Sequence, residues 1–364
     1  MSSKRTFLGY SEGQKLILPA ILIAFIQLIG SFPRIIEQYY STGIYPRIAG
    51  FLRAVTQMLP FSAGDIFYAL FVLALLISLV KGIRMLFAAR FSLKTILYTI
   101  LSVVRKTAWI FICFYFLWGL NYYRAGIAYQ LKMQDADYTV DDLCTITDSL
   151  IVKVNHYRRK LSADSVLPSH YTKEIFNNAA VYYKKLSASY PFLVYHHASV
   201  KPSMYNSLAA YIGFTGYYNP FSGEAQLRTD VPAILLPYTA CHEIAHQLGY
   251  ASETEANFVG YLAASRSGDD YFRYSVYLDL YKYARMQLFL HNTFPGGDVK
   301  LDTLVKADLR MINRFFLNES NKVAPVSMSL YNAYLKANRQ QKGVNSYDDV
   351  IAYLINYYKK TGEL

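Results

Sequence analysis

Three predominantly apolar runs in the first third of the chain, Leu16 to Phe32, Ile66 to Val80 and Thr107 to Leu120, constrain its fold more than any other feature. Stretches of this kind leave no polar face for water, and a helix of about 20 such residues crosses a bilayer. Lys15 precedes the first run and no small-x-small site closes it, so a retained anchor is expected rather than a cleaved leader. The second lengthens through Lys81 and Arg84 when their charged ends snorkel to the headgroups. The third follows Arg105-Lys106 and is closed by an aromatic belt of Trp118, Tyr122 and Tyr123. Residues 1–123 are therefore expected to form a membrane domain with three transmembrane helices, at about 16–32, 66–84 and 105–122, and residues 124–364 a separate domain.

Composition agrees with that division. Of the 364 residues, 53% are hydrophobic and only 17% charged, which excludes a chain that is soluble throughout. Residues 1–124 carry thirteen Lys/Arg against three Asp/Glu, and so hold ten of the twelve net positive charges. Charge placed beside apolar spans orients helices and meets anionic lipid, so the bilayer is the expected partner and nucleic acid is not. The N-terminus and residues 81–106 hold nine Lys/Arg, against three (Arg34, Arg47, Arg53) in 33–64. The positive-inside rule then leaves the N-terminus in the cytoplasm and residues 124–364 extracytoplasmic. Within 33–64, Tyr45 to Arg53 reads as a short amphipathic helix on the surface, with no catalytic residue. Three cysteines, Cys113, Cys144 and Cys241, make no disulfide framework.

Beyond Arg124 the pattern is mainly helical with a small β region. Apolar periodicity predicts helices over 141–161, 171–187, 253–265, 269–290, 301–317, 325–338 and 346–360, with a break at Phe294-Pro295-Gly296-Gly297. Residues 199–228, rich in Gly, Pro, Asn and aromatics, suit short strands and turns.

Between these lies a helix that starts near Pro237 and ends at Gly249, carrying His242-Glu243-Ile244-Ala245-His246. Residues four apart share a helix face, so the two imidazoles can share one metal ion, with the Glu243 carboxylate beside it as a base for water. This is the H-E-x-x-H pattern of zinc hydrolases, so Zn2+ is the expected cofactor. A catalytic zinc site needs a third protein ligand, and Glu253 and Glu255 compete for that role. Ser252 and Glu255 form S-x-x-E, a capping box that would occupy Glu255 and leave Glu253 to bind metal, with Glu255 as the alternative. Asn257, four residues after Glu253, is placed to orient a ligand, and Gly260 lets the two helices approach closely. Cys241 lies about 100° round the helix from its neighbouring ligand and is not expected to bind. His156, His170, His196, His197 and His291 lack ligand spacing, and Glu224 suits a turn carboxylate bonded to nearby backbone N–H groups.

His242-Glu243-x-x-His246 followed by Glu253-x-x-Ala256-Asn257 resembles the gluzincin type of metallopeptidase. Trp118 to Arg124, Pro220 to Ala225 and Tyr331 to Lys336 narrow the likeness: they are similar to an uncharacterised bacterial family of membrane-anchored proteins read as zinc peptidases, a domain of unknown function. The resemblance implies a zincin-like α+β domain, with His242, His246 and Glu253 on zinc, catalysis facing outward from the bacterial cytoplasmic membrane, and a peptide or protein substrate paired along residues 211–229. A donor for the oxyanion is sought among Tyr217, Tyr218, Tyr250 and Tyr274. The competing reading is a membrane sensor or scaffold that binds peptide without cutting it.

Overall fold

The computed structural model describes residues 13–87, 93–133, 137–161, 172–293, 300–319, 323–338, 340 and 349–364. It is mainly helical with one three-stranded sheet. Helix α1 (Ile17–Ile29) stops at Gly30, and the chain turns by 97° before α2 (Pro33–Ile35), a π-helical stretch (Ile36–Ile44) and α3 (Tyr45–Thr56). Pro33 at the first turn of α2 forces Phe32 out of the helical region, which is why the expected span at 16–32 is broken near its end.

Helices α4 (Ala63–Phe87) and α5 (Leu93–Leu117) each contain a stretch long and apolar enough to cross a membrane, Ala63–Arg84 and Ile96–Leu117; the bent pair around α1 makes a third candidate if it counts as one. Residues 107–117 of the third run are thus the C-terminal part of a longer helix, which ends before Trp118, and Arg105 and Lys106 lie inside that helix rather than before it. Charged residues end a hydropathy run but not a helix, since Lys and Arg are good helix formers.

After α6 (Gly126–Gln130), α7 (Val140–Lys160) is opened by a capping box in which Thr139 and Asp142 satisfy each other's backbone N–H. Helix α8 (Thr172–Leu186) follows, then β1 (Val200–Pro202), α9 (Asn206–Ile212), β2 (Gly216–Asn219) and β3 (Glu224–Leu227). Strand β3 is central, parallel to β1 and antiparallel to β2, which leaves β2 at an edge. The remaining helices are α10 (Leu236–Gln247), α11 (Glu253–Ser265), α12 (Asp270–Leu290), α13 (Thr303–Glu319), α14 (Ala324–Ala337) and α15 (Val350–Thr361). Each lies within a few residues of its sequence-based expectation; the helix α9 inside the β region was not expected, and the break at Phe294 to Gly297 lies outside the described residues.

One large core joins α7, α8, α10, α11, α12 and α15 through Leu150, Tyr183, Ile244, Phe258, Leu262, Tyr281 and Leu354. A second cluster (Ile26, Ile36, Tyr40, Tyr45, Tyr115, Trp118, Tyr123, Ala251) ties the N-terminal segment to the turn after α10. Helix α3 belongs to this junction and differs from its expectation. Three of its polar side chains face inward: Arg53 donates to the carbonyls of Gln247, His196 and His197, Tyr45 to that of Gln247, and Thr56 shares a hydrogen bond with Ser199. Phe51 and Val55 face outward instead. The reason is local, because the last carbonyls of α10 have no partner within the helix and need donors from elsewhere.

Arg53→Met should remove charged donors from three carbonyls at once, costing about 3 kcal/mol. A clearly lower thermal unfolding midpoint of the detergent-solubilised chain is the expected result; an unchanged midpoint would mean that water replaces the guanidinium.

Candidate metal centre

Helix α10 is buried along its whole length, with Pro237 in its first turn and Gly249 just beyond it at φ +87°, the left-handed value that reverses the chain. The chain then re-enters as α11, which crosses α10 closely because position 260 is glycine: a Cβ there would stand 3.1 Å from the backbone nitrogen of His242. That proximity carries Glu253, at the start of α11, over the two histidines.

The imidazole Nε2 atoms of His242 and His246 lie 3.1 Å apart, and Glu253 Oε2 lies 3.2 Å from the first and 3.5 Å from the second. Both rings are held from behind. His246 Nδ1 is 2.7 Å from the Tyr250 carbonyl, which only accepts, so Nδ1 carries the hydrogen and a neutral ring turns its Nε2 lone pair inward. His242 Nδ1 is likewise 2.7 Å from Asn257 Oδ1. Glu253 Oε2 is buried without a hydrogen-bond partner, while Oε1 accepts a 2.5 Å hydrogen bond from Tyr331. Two ring nitrogens and a carboxylate oxygen thus converge at one buried point, within reach of a single ion. Among the described residues, His242, His246 and Glu253 are the one group of three such side chains able to hold a metal ion.

The carboxylates make the group favourable to positive charge, whether carried by a proton or by a metal ion. Burial alone would lower the His246 pKa, but the Glu253 and Glu243 carboxylates push it up to about 9. Burial raises Glu253, and the two histidines outweigh it and hold the carboxyl well below its ordinary range. Glu243 shifts upward, because burial exceeds the pull of the histidines. Its Oε2 is buried and unpartnered, and its other side abuts Gly216 on β2, where a Cβ would come within 2.5 Å of Oε1. Two cavities meet at His242 and Glu243: one of about 330 Å³ toward Trp118, Tyr218, Tyr331 and Tyr334, the other of about 430 Å³ toward Thr239, Asn257 and Asp279.

Glu255 lies elsewhere, and for a different reason from the capping box expected of it. Ser252 precedes α11 without a side-chain cap, and the Glu255 carboxylate instead accepts the Ile127 N–H at 2.7 Å, with the Arg124 charge nearby. Cys241 is buried outside the group, its thiol pushed up by burial. Tyr217 and Tyr218 line the cleft, with hydroxyls on Asp65 and Tyr45; the hydroxyls of Tyr250 and Tyr274 point away, to Gln130 and Asp308. Glu224 accepts backbone N–H groups of Ala63 and Gly64 at the start of α4, far from its own turn. His156, His196, His197 and His291 are not in the group, and His170 lies outside the described residues. Sequence reasoning overlooked Tyr331 as a partner of Glu253, since nothing in its spacing connects α14 with α11; it also missed that Tyr250 serves through its carbonyl.

The family model described as "Protein of unknown function (DUF3810)" matches residues 40–355 of the chain. No curated protein and no solved structure matches it.

Elemental analysis of the purified chain should find about one metal per molecule, lost in His246→Ala and in Glu253→Gln and retained in Glu255→Gln. Gly260→Val should reduce metal content together with stability, since its branched side chain must push α11 away from His242. Metal retained in Glu253→Gln and lost in Glu255→Gln would reverse the assignment.

Proposed function

We propose that this chain, which belongs to the DUF3810 family, is a membrane-anchored zinc metallopeptidase of the gluzincin type, with a zincin-like α+β domain that hydrolyses peptide bonds on the extracytoplasmic side of a bacterial cytoplasmic membrane. The observation that carries this reading is the convergence of two histidine Nε2 atoms and a Glu253 oxygen without a hydrogen-bond donor beside the buried, unpartnered Oε2 of Glu243. Two neutral imidazoles and one carboxylate form a donor set suited to zinc. The ion would supply Lewis acidity, polarising a peptide carbonyl and making water a better nucleophile.

The chain's own residues supply the rest. Asn257 and the Tyr250 carbonyl orient the imidazoles, and Tyr331 fixes Glu253 so that only Oε2 faces them. Glu243, whose pKa burial raises, accepts a proton from the attacking water and passes it to the departing nitrogen. The oxygen of that water joins the carbonyl carbon as the C–N bond breaks, leaving a carboxylate and an amine. Edge strand β2 borders the cleft through Gly216, Tyr217 and Tyr218, where an extended peptide can add as a fourth strand. The positive-inside count supports the orientation, with the N-terminus in the cytoplasm.

Glu243→Gln should keep its metal and lose about 10³-fold or more of peptide hydrolysis, measured on a quenched-fluorescent peptide library. A wild-type chain that is folded and metal-loaded but cuts no member of the library would overturn the peptidase reading and favour a peptide-binding scaffold.

A further inference from the structure

We infer that the metal-facing cleft opens along α4 into the lipid bilayer, and that its substrate is a peptide chain with an apolar, membrane-inserted segment next to the bond that is cut. This rests on the peptidase reading above and names its substrate class. The first observation is continuity. An apolar groove of about 510 Å³ runs between α4 (Tyr68, Ala69, Val72) and α9 (Leu208, Ile212), and it shares Tyr68, Phe214, Tyr217 and Tyr218 with the cleft that reaches Glu243. One path therefore connects the face of α4 to the general base.

The second observation is what that path faces. Beyond Asp65, none of the residues Ile66 to Arg84 of α4 is buried within the protein. Tyr68 to Val72 lie five to nine residues into it, roughly 8–14 Å along the axis at 1.5 Å per residue. Across the groove, Leu208 and Tyr211 are each more than half exposed, as is Met204 just ahead of α9. Apolar surface left bare on this scale beside a bilayer-spanning helix is surface that lipid, rather than water, covers.

The lining identifies the occupant. Among the described residues, no carboxylate, ammonium or guanidinium lines the groove, and three of its four tyrosine hydroxyls are engaged: Tyr217 and Tyr205 donate to Asp65, and Tyr218 shares a hydrogen bond with Tyr45. A charged or strongly polar segment would lose its hydration there without a partner, whereas aliphatic side chains gain by burial. The histidines and Glu253 lie on α10 and α11, and their cleft is bordered by Tyr68 and Phe114 near the ends of the two candidate spans and by Trp118 just past the second. The scissile bond then sits at the water boundary while the neighbouring apolar segment stays in the groove.

The test uses the full chain in phosphatidylcholine vesicles with two peptides that share one quenched-fluorescent cleavable stretch. One continues into a leucine-rich tail of about 12 residues, long enough to enter a leaflet; the other has a Gly/Ser tail of equal length, and both tails carry a benzophenone. The leucine-tailed peptide should be cut about tenfold faster or more, and should photolabel α4 or α9 of the Glu243→Gln chain. Leu208→Glu should bring the ratio of the two rates toward one, and Leu208→Ile should preserve it. Equal rates for the two peptides in the wild-type chain, or labelling away from the groove, would overturn the inference and leave the peptidase reading intact. Labelling of the groove without cleavage of either peptide would sink the peptidase reading and keep the groove; neither cleavage nor labelling would overturn both.

Discussion

Two imidazole nitrogens 3.1 Å apart and the Glu253 carboxylate beside them form a buried group that could hold a cation, and much of the structure serves to keep them together. The Tyr250 carbonyl and Asn257 fix the rings from behind, so that neither can rotate its Nε2 away. Gly260 brings α11 close enough for Glu253 to complete the triangle, and Tyr331 from α14 takes the carboxylate oxygen that does not face inward. These partners come from the helix bearing Glu253, the turn before it and a helix near the C-terminus, so assembling the site requires most of the chain to be folded.

A second dependence runs the other way, toward the membrane segments. The carbonyls at the end of α10 are claimed by side chains from before residue 124: Tyr45 and Arg53 on Gln247, Trp118 on His246. Arg124 in turn donates to Gly249, and Glu224 on β3 caps the first N–H groups of α4. Segments from the N-terminal third of the chain thus supply capping groups for α10, and the sheet supplies a cap for a candidate span. Helix α3 shows the result most clearly, with its guanidinium turned inward and its aromatic Phe51 turned out. Such an inversion is stable where the outward medium is apolar and the inward one offers carbonyl oxygens.

Much of the architecture was legible before any coordinates. Helices such as Val140–Lys160 and Glu253–Ser265 announce themselves by apolar period and by end signals, which are local properties of the chain. The i, i+4 spacing of His242 and His246, and of Glu253 and Asn257, is likewise local, and follows from helix geometry once the helices are recognised. Hydropathy was less reliable at the span ends, because Arg105 and Lys106 interrupt an apolar run without interrupting a helix, and Pro33 turns a chain whose apolar residues continue past it.

What the sequence by itself determined is the set of elements and the residues each presents on one face, since period, caps and breakers act within a few residues of one another. What only the tertiary structure decided is which distant groups meet those faces. Glu255 has the spacing of a capping box and goes instead to Ile127; Glu224 looks like a turn carboxylate and caps α4; among the described tyrosines, it is Tyr331 that donates to Glu253. Partners separated by tens to hundreds of residues leave no periodic trace, because their meeting depends on how helices pack and on which buried groups still lack a hydrogen bond.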